Sequence, residues 1–145
     1  MAFGRGPSKR DDDFTVEQFT ARLASRGRAK LKPLLLDQSF VSGLGNIYAD
    51  EALHLARLHP ERTAGSLGTA DVARLHHAMR VVLEEAIPIG GAKIANGKAT
   101  QVNGFPRVHA REGEPCPNCG TPIVKYTLAG RGTYFCPNCQ DGSKV

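Results

Sequence analysis

Cysteine is absent from the first 115 residues of this 145-residue chain. A disulfide framework spread through the fold is thereby excluded, and whatever the thiols do is confined to one end. No stretch is apolar for long enough to cross a bilayer, and the opening Met1-Ala2-Phe3-Gly4-Arg5-Gly6-Pro7 has no apolar centre of the kind a secretory signal needs. The expectation is a cytoplasmic protein with no membrane partner. No internal repeat is visible, and no His-x3-His or paired acid-His motif accompanies the cysteines, which argues against a metal hydrolase. Hydrophobic residues make up 41% and charged residues 23%, so the chain has enough apolar material for a core and is not a disordered tail. Nineteen Lys and Arg against fourteen Asp and Glu leave a net charge of +5, which permits a polyanionic partner without requiring one.

What is present is concentrated at the C-terminal end. Cys116-Pro117-Asn118-Cys119 and Cys136-Pro137-Asn138-Cys139 form two Cys-x2-Cys knuckles separated by sixteen residues. Each knuckle offers two sulfurs to one ion, and a spacer of this length can fold back as a hairpin, which suits one tetrahedral zinc. The strand-prone segments 122–127 and 133–135 flank the Gly-rich turn Ala129-Gly130-Arg131-Gly132. Disulfides or a redox-active pair are the alternatives, and the absence of a secretory signal favours the metal. Four sulfurs close the coordination sphere, so the expected Zn2+ is structural.

The rest of the chain reads as mainly helical. Residues 1–13 form a tail or linker in which Lys9-Arg10 gives way to Asp11-Asp12-Asp13. Thr15-Val16-Glu17-Gln18 is a capping box with Phe14 and Phe19 at the staple positions, and Val16, Phe19 and Leu23 mark one helical face. A second helical segment runs near Leu31 to Leu36, with Pro33 in its first turn. Residues 37–45 read as two successive turns, and Asn46 opens a third helix with Ile47, Leu53 and Ala56 inward. A fourth, from Thr69, carries Val72, Leu75, Met79, Val82, Leu83 and Ala86, and residues 88–115 show no periodicity.

Five basic residues and no acid lie between Ala21 and Lys32, namely Arg22, Arg26, Arg28, Lys30 and Lys32. Such a cluster is either a solvated face or part of a nucleic-acid site. Its neighbour Gly43-Leu44-Gly45-Asn46 favours the second reading. Glycines allow close approach of a ligand to the backbone, and free N–H groups at a helix start can hold a phosphate oxygen together with the Asn46 side chain, unless Asn46 is simply an N-cap. Asp50 and Glu51 complement the same helix dipole. These two, with Glu84, Glu85, His54, His59, His76 and His77, read as helix surface or caps, with no nucleophile, base and orienter at convergent spacing.

LLLDQSFVSGLGNIYADEAL, followed by LHPERT, resembles the helix-two-turn-helix element of the formamidopyrimidine-DNA glycosylase and endonuclease VIII family. VHAREGEPCPNCGTPIVKYTLAGRGTYFCPNCQ resembles the zinc finger that ends the chain in that family, and the two come in the family's order. The resemblance runs from about Asp13 to Gln140. It implies a helix-two-turn-helix DNA-binding domain over 14–100, then a linker and zinc-finger β-hairpin over 101–145. It further implies that Asn46, with Gly45 beside it, contacts phosphate next to a lesion, that Lys125 and Arg131 reach phosphates from the hairpin, and that Lys32 lies near the damaged nucleotide. A zinc-rigidified hairpin is also, on physical grounds, a good mount for the Arg131 guanidinium.

The family's catalytic residues, a Pro and a Glu directly after the initiating Met, have no match in Met1-Ala2-Phe3-Gly4. Ala92 stands where the family has a hydroxyl residue, and His109, a further candidate phosphate contact, stands where it commonly has Tyr. The implied function is binding of duplex DNA, abasic or oxidised, through its backbone, without catalysis by this chain. A protein partner could supply the chemistry. The alternatives are half of an active glycosylase and abasic-site lyase whose N-terminal domain is missing, and an RNA-binding or ribosome-associated unit.

Overall fold

A computed structural model of the protein describes residues 15–37, 45–86, 93–95, 98–100 and 106–142. Helix α1 (Val16–Ser25) begins at the expected capping box. Thr15 Oγ1 accepts from the Gln18 N–H at 3.1 Å, and Gln18 Oε1 accepts from the Thr15 N–H at 3.3 Å. The reciprocal bonds satisfy donors that a helix start otherwise leaves open. Phe19 and Leu23 are buried as expected, whereas Phe14 lies outside the described residues.

Helix α2 (Leu31–Leu36) tolerates Pro33 because a first-turn residue has no intrahelical N–H bond to lose. The expected pair of turns falls mostly on residues 38–44, outside the described residues. Helix α3 (Asn46–Ala56) turns Ala49, Ala52, Leu53 and Ala56 inward, while Ile47 is only half-buried. The three alanines let α3 lie close against α4 (Thr69–Ala86), whose Val72, Leu75, Ala78, Met79 and Val82 complete the core with Phe19, Leu31, Leu34 and Leu35. A 3-10 turn, Ala64–Ser66, connects α3 to α4 and is stitched to the α1–α2 loop. The Ala64 N–H donates to Ala29 O at 2.9 Å and the Gly65 N–H to Gly27 O at 2.8 Å. A Cβ at Gly65 would stand 3.0 Å from Gly27 O, so this approach requires glycine.

Where the sequence shows no periodicity, two strands, β1 (Lys93–Ala95) and β2 (Lys98–Thr100), pair antiparallel. Three residues per strand are too few for an alternation to be read. The C-terminal hairpin consists of β3 (Val124–Leu128) and β4 (Arg131–Phe135), in a register that sets Leu128 opposite Arg131. The turn is therefore narrower than expected. Ala129 and Gly130 alone make it, with φ of 53° and 78°, the left-handed pair that a two-residue turn needs to match strand twist. Arg131 and Gly132 already belong to β4. A second, smaller core of Val108, Ala110, Cys116, Ile123, Tyr134 and Cys136 lies under the hairpin.

Leu53 is fully buried between α3 and its neighbours. Leu53→Ala is expected to cost about 3 kcal/mol through lost transfer and an incompletely closed cavity, read as a lower urea midpoint at unchanged slope. A loss under about 1 kcal/mol would mean that this core can close around the gap.

Candidate nucleic-acid interface

The N-terminal end of α3 and the first residues of β4 meet at the Gly132 carbonyl. Asn46 Nδ2 donates to it at 3.2 Å and Lys32 Nζ at 3.3 Å. Lys32 also donates to Asp50 Oδ1 at 2.6 Å and to Thr133 Oγ1 at 3.1 Å. Lys32 is 0% and Asp50 1% exposed, so this is a buried ion pair whose ammonium has three acceptors for its three protons. Burial pushes the Lys32 ammonium below the usual lysine range, with the nearby Arg131 guanidinium acting in the same direction and Asp50 opposing.

Asp50 extends the network with its other oxygen, which lies 2.7 Å from His109 Nδ1. The next residue fixes the backbone around that histidine. Glu51, 0% exposed, accepts from the Arg107 N–H at 2.6 Å, the Val108 N–H at 2.9 Å and the His109 N–H at 3.0 Å. Burial pushes its carboxyl above the usual range, and the three amides oppose that shift. The His109 ring then meets Tyr134 edge-on at 4.7 Å, and Lys125 Nζ lies 5.6 Å from the centroid of the same tyrosine. Two further bonds tie the hairpin end to the helices. Gln140 Oε1 accepts from the Cys136 N–H at 2.8 Å while its Nε2 donates to Leu58 O at 3.0 Å, and the Tyr126 hydroxyl donates to Glu61 Oε2 at 2.9 Å.

The sulfurs of Cys116, Cys119, Cys136 and Cys139 all lie within 4.8 Å of one another. Separations of 3.9 Å (Cys116 to Cys139), 3.5 Å (Cys119 to Cys136) and 3.6 Å (Cys119 to Cys139) are close to the edge of a tetrahedron with zinc–sulfur bonds of about 2.3 Å. The donor set fits a structural zinc. Amides stabilise the thiolates, the Asn118 N–H donating to Cys116 and the Cys139 N–H to Cys136, each at 3.3 Å. Burial pushes the Cys136 thiol up to about 12, whereas bonds from Thr121 bring Cys119 down to about 5. Zinc must displace protons from the buried side of the cluster, so its affinity falls as the pH falls.

Of the DNA-contact candidates, Gly45, Lys125 and Arg131 are exposed and Asn46 is half-buried, all gathered around the start of β4. His109 is buried against Tyr134. Lys32 is enclosed in the junction and presents no surface, which makes it a strut between the helical unit and the hairpin. Gly45 is the N-cap of α3 and Asn46 its first residue, so the Asn46 amide is free to reach across the junction. The basic cluster between residues 21 and 32 does not act as one patch, since Arg26 pairs with Asp37 at 2.9 Å and Lys30 with Glu61 at 3.2 Å.

Asp50, Glu51 and His54, expected on the helix surface, are buried instead. His54 Nε2 lies 3.2 Å from Cys116 Sγ, and burial pushes its imidazole down to about 4. Gln140 closes the zinc-finger resemblance, but nothing in the sequence signalled its bond to Leu58. The overlooked hint for α3 was the burial-prone run Ala49-Asp50-Glu51-Ala52-Leu53, in which acids sit between apolar neighbours.

Asp50→Ala leaves the buried Lys32 ammonium without its counter-charge. The expected loss is about 3–5 kcal/mol of unfolding free energy, measured in urea with zinc present. A loss under about 1 kcal/mol would show that Lys32 reaches solvent when its partner is removed.

Comparison with known proteins agrees with this arrangement. Residues 4–97 match the formamidopyrimidine-DNA glycosylase H2TH domain, and residues 113–142 match the zinc finger found in FPG and IleRS. The chain is 46% identical over 134 residues to the formamidopyrimidine-DNA glycosylase of Pelotomaculum thermopropionicum, covering 89% of this chain and 49% of that protein. Identity to a Thermus thermophilus protein of the same name is 45% over 142 residues, covering 93% and 53%. The chain thus spans about half the length of the curated relatives it matches. Among solved structures, MutM in complex with DNA containing carbocyclic 8-oxo-G superposes with a TM-score of 0.81 at 42% identity, over 90% of this chain and 48% of that one. The Lactococcus lactis Fpg in complex with DNA containing an abasic site gives 0.81 at 40% identity, over 90% and 49%. With a family domain matched over residues 4–97 and the finger over 113–142, the chain belongs to the formamidopyrimidine-DNA glycosylase family and carries its helix-two-turn-helix and zinc-finger DNA-binding domains.

Proposed function

We propose that this chain binds duplex DNA through its sugar-phosphate backbone, abasic or oxidised sites included, and has no base-excision chemistry of its own. The observation that carries the reading is the anchoring of two phosphate-binding devices to one carbonyl. Asn46 bonds to Gly132 O, and the residue before Gly132 is the exposed Arg131. The start of α3 has no side-chain cap and no acid in its first turn, so its amides and positive dipole end are available to an anion. Arg131 on β4 and Lys125 on β3 are both exposed, Lys125 on the face of Gly132 and Tyr134 and Arg131 on the other, and a guanidinium on a rigid strand grips phosphate at low entropic cost. Such contacts position a protein on a duplex without reading its bases. His109, packed on Tyr134, and Lys32 support this surface from beneath.

Imine chemistry at a sugar carbon requires an unprotonated amine held against that carbon. Lys32 has a lowered pKa, but its ammonium is enclosed by Asp50, Gly132 and Thr133. A second reading has its own support. The relatives are about twice as long as this chain, which suits half of an active glycosylase and abasic-site lyase whose chemistry resides in the other half.

Three or four cationic or helix-end contacts imply that log Kd changes with log salt with a slope of about 2 to 4 in magnitude. Arg131→Ala should weaken binding to plain and abasic duplexes alike and reduce that slope by about 1. Salt-independent binding, or stronger competition by duplex RNA than by DNA, would contradict the assignment. Borohydride trapping on an abasic duplex distinguishes the two readings: no adduct above a basic-peptide control is expected of this chain alone, and a stoichiometric adduct would establish lyase chemistry within it.

A further inference from the structure

The contact between His54 and Cys116 joins residues 62 positions apart and has no part in the function proposed above. A zinc-bound thiolate has no proton to give, so at 3.2 Å the hydrogen must be on His54 Nε2. Nδ1 is then the bare acceptor. It is buried without a hydrogen-bond partner, in a side chain that is 5% exposed and lines a cleft of about 240 Å³ together with Leu55, Arg57, Arg107, Pro117 and Asn118. With sulfur as the one partner within reach of the ring among the described residues, the geometry favours the tautomer whose hydrogen faces Cys116.

We propose that His54 is a positioning residue of the zinc centre: from α3 it donates its Nε2–H to the Cys116 thiolate and so makes the helical unit part of the metal site. Four thiolates on one Zn2+ leave an excess of two negative charges, and each N–H directed at sulfur disperses part of it. The knuckles supply donors of their own, from Asn118 and Cys139. Those donors move with the finger. His54 does not, because α3 is packed into the helical core through Ala52, Leu53 and Ala56. Cys116 consequently cannot leave the metal without breaking a bond to a rigid helix, and the electron density on its sulfur, hence its reactivity toward electrophiles, is set from outside the finger.

The test uses the full chain loaded with one zinc, challenged with a chromogenic chelator. His54→Phe keeps an aromatic ring at the site and removes the donor, and it should release zinc about 10-fold faster or more, within the range usual for loss of a partner of a metal ligand. His54→Gln, whose amide can reach the sulfur, should restore slow release. In cobalt-substituted protein the sulfur-to-metal charge-transfer band should move to lower energy in His54→Phe and return in His54→Gln, a response that loss of packing alone would not give. If His54→Phe fails to fold, the wild-type protein still decides the matter, because the nitrogen spectrum of its imidazole must place the hydrogen on Nε2. Zinc release at the wild-type rate in His54→Phe, an unmoved band, or a hydrogen on Nδ1 would each overturn the proposal.

Discussion

The buried ion pair between Lys32 and Asp50 is the constraint on which the rest of the molecule depends. Removing two charges from water costs several kcal/mol per ion, and mutual attraction offsets this only with good geometry and no polar atom left over. Here the ammonium has three acceptors, and both carboxylate oxygens of Asp50 are engaged, one by Lys32 and one by His109. Two apolar residues of similar volume could stabilise the fold as well. They could not fix register, because an ammonium bonded to Gly132 O and Thr133 Oγ1 allows one placement of the hairpin on the helices. The pair's contribution is thus chiefly to orientation, and orientation is what a backbone-gripping surface split between α3 and β4 requires.

The hairpin could not hold that position alone. Among the described residues its core has six buried side chains, two of them cysteines, far short of what an independent unit needs. Zinc supplies internal cohesion, and the helices supply external attachment through Gln140 to Leu58, Tyr126 to Glu61 and Glu51 to the amides of residues 107–109. These bonds lie at different points around the finger, so no single hinge axis escapes them all. The surface of Gly45, Asn46, Lys125 and Arg131 is therefore preorganised, with little ordering entropy left for a ligand to offset.

Local features were legible in the sequence wherever their cause was local. The Thr15 and Gln18 capping box, Pro33 in a first turn, the start of α3 at Asn46 and the two cysteine knuckles each depend on residues a few positions apart. The junction was not legible, for a physical reason. Asp50, Glu51, His54 and Gln140 are polar, and a polar residue read by itself predicts solvent. Their burial follows from partners 18 to 82 positions away, which no periodicity encodes. Lys32 shows the converse: a lysine in a basic run reads as exposed, and the fold brings Asp50 to it and encloses it. The turn residues 129–132 misled more mildly, because glycine content marks a hairpin but not which pair of residues has positive φ.

The helical unit and the zinc hairpin open only together, which native-state amide hydrogen exchange on the zinc-loaded protein can show. The N–H groups of Val108 and His109, held by Glu51, and of Cys136, held by Gln140, should exchange at the slow rate of the Leu53 amide, through global unfolding. Exchange at these three amides orders of magnitude faster than at Leu53 would mean that the finger lifts off the helices by itself, and would contradict the claim.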